Sequence, residues 1–454
     1  MSPAKNILLI SANAYTNPYP VYPLGISYLY TYLKKRLPEK SFHFFDFNLQ
    51  TIDEFKELLS KESYDIIGVS LRNIDDNNLY EKNSFIAWYK KIIDVAHEKS
   101  SAKIIIGGPG FSIFPELIYD TLQPDFGIKG EAEESLLKLI ECIDEESDFK
   151  NIEGLVYRSS QGEIVVNQRT TYLKSLELSF DKDLVDFYWS KSGMLNIQTK
   201  RGCPYKCIYC SYPVIEGRKI RTLNADLIVD TLKELYFKNG ITYVFFTDSV
   251  FNISNKYNIE LAKKIIESGV KVNWGAYFSP HNITYEALKL FKKAGLTHME
   301  FGTESFSDQQ LKNYGKHFRF NEVLKISQIS SDLGIFFAHF LILGGYGETE
   351  RSLDETFENS KKIPRSVYFP YIGMRIYPQT ELYNIAVSEG KISGIKDLLE
   401  PVYYISADIN LDTIKQRAMD TGKKWIFPDF DDNGLMDKFR SRKIRGPLWE
   451  FLRY

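Results

Sequence analysis

Arg201-Gly202-Cys203-Pro204-Tyr205-Lys206-Cys207-Ile208-Tyr209-Cys210 holds three of the four cysteines in a chain of 454 residues. Their spacing is C-x3-C-x2-C. Thiolates are soft ligands that select iron–sulfur clusters, zinc or copper(I). A four-iron cluster ordinarily takes four cysteines, so three close ones suggest a cube with one iron left open to a small molecule. Structural zinc would want a fourth Cys or His nearby in paired short spacings, and none is present. The fourth cysteine, Cys142, lies far upstream in an expected helix and reads as a small buried hydrophobe.

On both sides of this loop the chain alternates apolar strands with amphipathic helices. Downstream, strands are expected at 194–199, 242–247, 272–278, 298–302, 336–343 and 368–376, with helices between them. Six strands fall short of a full eight-stranded barrel, whose chemistry sits at the C-terminal strand ends. Upstream, strands at 6–12, 42–46, 66–70, 103–107 and 126–129 alternate with helices, which implies a doubly wound parallel sheet. Ligands of such sheets sit beyond the carboxyl ends of the strands. Those ends carry Leu24-Gly25, Ser70 to Asn73, Gly107-Gly108-Pro109-Gly110 and Gly130-Glu131.

The cysteine loop, with an aromatic before its last cysteine, resembles the cluster loop of the radical S-adenosylmethionine (SAM) enzymes. The resemblance implies that Cys203, Cys207 and Cys210 hold a [4Fe-4S] cluster whose open iron is chelated by SAM, with Tyr209 beside the adenine. It also implies electron transfer from the cluster to the sulfonium, releasing a 5′-deoxyadenosyl radical. The six-strand count matches the partial (β/α)6 TIM-like barrel of that family. Among the strand ends, Thr247 and Asp248 are candidates for the SAM amino group. Gly302-Thr303-Glu304-Ser305 is similar to a Gly-x-Glu-Ser motif, and Glu304 there suits the ribose hydroxyls or ammonium of SAM. Gly344-Gly345-Tyr346-Gly347-Glu348-Thr349 looks like an architectural loop that opens a helix, with Thr349 as its cap. Arg375, in Arg375-Ile376-Tyr377-Pro378, faces the SAM carboxylate, faces a corrin or forms a structural ion pair. Arg221 is open to the same readings. His339, mid-strand, reads as a satisfied core histidine.

The first half is similar to the Rossmann-like cobalamin-binding domain that precedes the barrel in one subclass. The match rests on Pro-Leu-Gly after strand one, Gly-x-Ser after strand three, Gly-Gly-Pro after strand four and Gly-Glu after strand five. Leu24, Gly25, Ser70, Asn73, Gly107, Gly108, Gly130 and Glu131 are the cobalamin candidates. Many relatives carry D-x-H-x-x-G, but Ser11 to Thr16 contain no histidine. The resemblance therefore implies cobalamin without a histidine lower ligand.

These readings divide the chain into a cobalamin-binding domain at 1–145, a connector with a β-hairpin at 146–190, a barrel at 191–390 and a small, mostly helical cap at 391–454. Trp425, Phe427, Phe430, Trp449 and Phe451 of the cap either close the barrel mouth or pack among themselves.

Net charge is −2, which argues against non-specific binding to nucleic acid or anionic membrane. The clustered cysteines fit a reducing compartment. The start, Met1 to Asn6, shows no signal peptide, and no apolar run approaches the roughly 18 residues that span a bilayer. A cytoplasmic monomer is expected, with a reductant such as flavodoxin or ferredoxin and a small-molecule or lipid-like substrate. The activity implied is methyl transfer to an unactivated carbon. One SAM methylates the cobalamin, and a second supplies the radical that opens the substrate carbon to that methyl. The alternative keeps both cofactors for a radical rearrangement, cyclisation or oxidation. A methylthiotransferase would need a second set of three cysteines, and only Cys142 is left.

Overall fold

The computed structural model describes residues 4–173, 176–429 and 434–452; Met1–Pro3 and Phe430 lie outside them. The first sheet contains β1 (Asn6–Ser11), β2 (Ser41–Asp46), β3 (Ile66–Ser70), β4 (Lys103–Gly107), β5 (Phe126–Ile128), β6 (Leu155–Arg158) and β7 (Ile164–Val166). Its order is β2-β1-β3-β4-β5-β6-β7. The first five strands run parallel, and β6 and β7 add on antiparallel. The hairpin expected in a connector is therefore the outer edge of this sheet: β6 has a free partner in β5, and hydrogen bonding there outweighs an independent hairpin. Strands such as Ile7–Ile10 and Ile104–Ile106 are buried on both faces, as continuous apolar runs between helical layers require.

The second half contributes β8 (Leu195–Ile197), β9 (Lys200–Arg201), β10 (Arg221–Thr222), β11 (Tyr243–Phe246), β12 (Asn273–Phe278), β13 (Leu296–Glu304), β14 (Phe336–Leu343), β15 (Val367–Ile372), β16 (Met374–Arg375), β17 (Tyr403–Tyr404) and β18 (Lys424–Trp425). The large sheet is seven-stranded, in the order β18-β15-β14-β13-β12-β11-β8, and every pair in it is parallel. Six strands were expected; β18 comes from the region read as a separate cap. That region also supplies β17, which pairs with β16. Two-residue strands carry no periodicity, so the sequence could not announce them. Trp425 and Phe427 are buried in the barrel core, Phe451 is exposed, and Trp449 lies against Ala338 and Val367. Ala338, Val367 and Glu300 pair in register across β13, β14 and β15, so Trp449 closes the lower end of the barrel.

The halves share a core. Phe111, Phe114 and Ile113 of the first half pack in one apolar cluster with Tyr314, Met374 and Leu382 of the second.

Candidate active site

The cysteine loop leaves β9 through Gly202, whose φ of 92° lies in the left-handed region. A Cβ there would overlap the Lys219 carbonyl, so glycine is the residue that fits. The loop is pinned by backbone bonds: Cys203 N–H to Gly217 O at 3.0 Å, Ile208 N–H to Tyr314 O at 3.1 Å and Leu382 N–H to Ile208 O at 2.8 Å. Behind it, Asp248 is fully buried and accepts from the backbone N–H groups of Thr199 and Lys200 at 2.6 and 3.0 Å. Its other oxygen takes the Thr199 hydroxyl and the Lys200 ammonium at 2.5 and 2.6 Å. Asp248, expected at the SAM amino group, has its carboxylate clamping the root of the cysteine loop. Thr247 donates its hydroxyl to Ile197 O at 3.3 Å while lining the cavity beyond.

Cys203, Cys207 and Cys210 lie within electrostatic reach of one another. Burial, then the neighbouring Cys207, pushes the Cys210 thiol up to about 12. Three neighbouring thiolates, Cys203 buried and Cys207 and Cys210 half-buried, need positive charge, which iron supplies. Among the described residues no group of three or more His, Cys, Asp or Glu side chains is placed to hold a single metal ion. Three soft thiolates on one short loop are the donor chemistry of an iron–sulfur cluster.

Glu304 ends β13 with φ of 69°, beside an irregularity in the β13–β14 register. A left-handed backbone at a non-glycine residue costs on the order of 1–3 kcal/mol and gathers at functional sites. The bulge turns the carboxylate to accept from the Tyr209 hydroxyl at 2.7 Å and from Lys316 Nζ at 3.2 Å. Lys316 is nearly buried. Burial presses it to lose its proton, but Cys207 and Glu304 outweigh that and raise its pKa. Sequence reasoning missed Lys316. Nothing in Tyr314-Gly315-Lys316 announces that its ammonium lies between a carboxylate and the cysteines.

Two cavities open beside the loop. One, of about 240 Å³, is lined by Leu24, Gly25, Ser70, Gly107, Gly108, Gly130 and Glu131, all named from the sequence. Gly108, at φ 95°, would place a Cβ 2.6 Å from Leu71 O. The second, of about 520 Å³, adjoins it and takes in Asn73. Asn13 Oδ1 and the Tyr22 hydroxyl are buried on its wall with no partner among the described residues. Glycine-lined strand ends and unsatisfied polar atoms fit a large polar-edged cofactor. None of the six histidines lines either cavity; His43 pairs with Tyr64 at 2.7 Å.

Glu131 lines the smaller cavity with its carboxylate in ion pairs with Arg201 at 3.2 Å and with Arg221. Burial would raise its pKa, yet these two guanidinium groups hold it down. Arg221 is thereby a structural partner. So is Arg375: its Nε meets Asp75 at 2.9 Å, and its other nitrogens donate to Ile376 O and Leu398 O, both at 2.8 Å. Four of its five N–H donors are thereby used inside the protein. His339 sits between the Thr303 and Ser327 hydroxyls at 2.7 and 3.1 Å, and burial lowers it to about 3, as a core histidine. Cys142 is half-buried rather than buried, with its thiol 3.6 Å from Asp148 O.

Comparison with known proteins gives two family matches: the B12 binding domain over residues 10–140 and the radical SAM superfamily over residues 197–359. The chain is 23% identical over 372 residues to an uncharacterized methyltransferase of Pyrococcus horikoshii, spanning 81% of this chain and 78% of that one. It is 22% identical to the tryptophan 2-C-methyltransferase of Streptomyces laurentii, spanning 80% and 72%. The radical SAM methyltransferase TsrM of Kitasatospora setae, solved with cobalamin and a [4Fe-4S] cluster bound, superposes with a TM-score of 0.88. It covers 100% of this chain and 98% of its own at 19% identity, a likeness of fold.

Proposed function

This chain belongs to the radical SAM proteins that carry a B12 binding domain, and from that premise we propose that it is a cobalamin-dependent radical SAM methyltransferase. The observation that supports this reading is the larger cavity. Its wall is shared by Ser70 and Asn73 from the first sheet, Tyr212 and Glu216 from the cysteine-loop flank, and Phe245 and Thr247 from the barrel. A carbon held there would lie between the glycine-lined strand ends and the flank of the cysteine loop, a placement of the kind that converts separate encounters into one step.

When bound, the cluster with SAM supplies one-electron cleavage of a sulfonium bond, and the corrin supplies a transferable methyl group. The chain's own residues do the rest. Cys203, Cys207 and Cys210 hold the cluster. Tyr209 and Lys316 fix the carboxylate of Glu304, which receives a hydroxyl or ammonium of SAM. Glycines at the strand ends let the backbone approach the corrin. Asp248 and Lys200 keep the loop from shifting. The substrate is a small molecule, and electrons come from a low-potential donor such as a flavodoxin or ferredoxin.

The test is anoxic reconstitution with iron, sulfide and hydroxocobalamin, followed by SAM labelled in its methyl group and dithionite. The reading requires 5′-deoxyadenosine and transfer of label to the corrin, with S-adenosylhomocysteine formed. Formation of 5′-deoxyadenosine without any label transfer favours the non-methylating alternative.

A further inference from the structure

Glu300 is a buried carboxylate on β13 that the reading above does not use. It lies four residues before Glu304 along one strand, a descent of about 13 Å. One oxygen accepts from Trp449 Nε1 at 3.0 Å, and the side chain lines the larger cavity. No cation pairs with it among the described residues. The other carboxylates on that wall are engaged. Asp75 meets Arg375 at 2.9 Å, Glu216 accepts from Gln198 and from Gly202 N–H at 2.7 and 3.0 Å, and Asp76 accepts from Asn83 at 2.7 Å. The hydroxyls of Tyr19 from the loop after β1, Tyr243 from β11, Tyr277 from β12 and Tyr371 from β15 feel the Glu300 charge, while His298, two residues back on β13, packs on Trp449 and pairs with Glu450 at 3.0 Å. Arg72 and Arg440 bear on Tyr19 and form no ion pair with Glu300. Burial pushes this carboxyl up to about 7, with the Trp449 bond pulling the other way. An uncompensated carboxylate in a desolvated place is costly, and an arriving cation relieves that cost. The walls around it are aromatic, with Phe245 and Tyr277 ring centres 5.0 Å apart, and ring faces attract cations.

We propose that Glu300 anchors the substrate and that the substrate carries a protonated amine, which this carboxylate receives at the floor of the barrel. The proposal rests on the methyltransferase reading, since it takes the cavity as the substrate site.

The probes are 2-phenylethylamine and its neutral counterpart 2-phenylethanol, titrated calorimetrically into cluster- and cobalamin-loaded protein without reductant. The amine is expected to bind the wild type, and Glu300→Gln to weaken it by at least about tenfold, the loss of one charge-assisted bond, with alcohol affinity unchanged. The amide oxygen introduced by Glu300→Gln still accepts from Trp449, so floor packing survives; metal and corrin content of the variant check this. Trp449→Phe removes the indole donor but keeps the carboxylate, and holds amine affinity within about threefold. Equal loss for amine and alcohol, wild-type amine affinity in Glu300→Gln, or no amine binding to the wild type at millimolar concentration overturns the proposal. None of these titrations consumes SAM. A protein that binds amine through Glu300 yet transfers no methyl fails the functional reading alone.

Discussion

Arg375 Nε lies 2.9 Å from Asp75 Oδ2, with both side chains almost wholly shielded from water. Asp75 follows β3 in the first sheet and Arg375 ends the barrel series, 300 positions later. A buried pair is weak evidence of net stability, but breaking one strands a charge, at about 3–5 kcal/mol. Arg375→Met is therefore expected to lower the unfolding free energy of the main urea transition by that amount, and Asp75→Leu with Arg375→Met to recover most of it. A single variant as stable as the wild type would show that the pair carries nothing.

Cys203→Ala, Cys207→Ala and Cys210→Ala are each expected to abolish cluster assembly, read as iron and sulfide content after anoxic reconstitution. Full iron content in the triple variant sinks the cluster assignment.

Tyr209→Phe removes the hydroxyl that steers Glu304 at 2.7 Å. A hydrogen bond to a charged group contributes about 1.5–3 kcal/mol, so SAM is expected to bind at least tenfold more weakly. Lys316→Gln acts on the same carboxylate and is expected to weaken SAM comparably. SAM affinity unchanged in both would remove Glu304 from the SAM site.

With no histidine on either cavity wall, the Co(II) corrin is expected to show no superhyperfine splitting from a protein nitrogen, so its paramagnetic resonance spectrum is the same in ¹⁴N and uniformly ¹⁵N-labelled protein. A nitrogen triplet that becomes a doublet on labelling the protein would mean that a histidine reaches cobalt after all.

Glu348 is buried, its Oε1 has no partner among the described residues, and burial raises its pKa from 4.5 to about 8. The native state keeps this proton over a range in which the unfolded chain has released it. Stability therefore falls as pH rises from about 4.5 to about 8, by up to about 1.4 kcal/mol per pH unit. Glu348→Gln is expected to flatten that slope in denaturant titrations at several pH values. His339 acts in the opposite sense below pH 6.5, but it is common to both proteins and cancels in the comparison.

Much of the fold was legible because the central strands of both sheets are parallel and buried, and such strands read as unbroken apolar runs between helices. The cavity glycines were legible for a related reason: strand ends in this architecture face ligands, so small residues there carry meaning. What escaped lies in pairings between distant segments. Asp248 and Arg375 look like ligands in isolation; only the fold shows Lys200 and Asp75 beside them. Lys316 and Glu300 were silent because no local pattern separates a lysine after a glycine, or a glutamate mid-strand, from ordinary surface charge. The strand Lys424–Trp425 was silent because two residues have no period.

Glu300 and Trp449 are separated by 149 residues. Ribosomes add about 5–20 residues each second, so the acid emerges on the order of 10 s before the indole that covers it. Late in that interval, once Trp425 has been made, the nascent tube has all its walls but no stopper. A chain stalled or clipped after Trp425 would keep its seven-stranded sheet and its cysteine loop, yet stay open at the base.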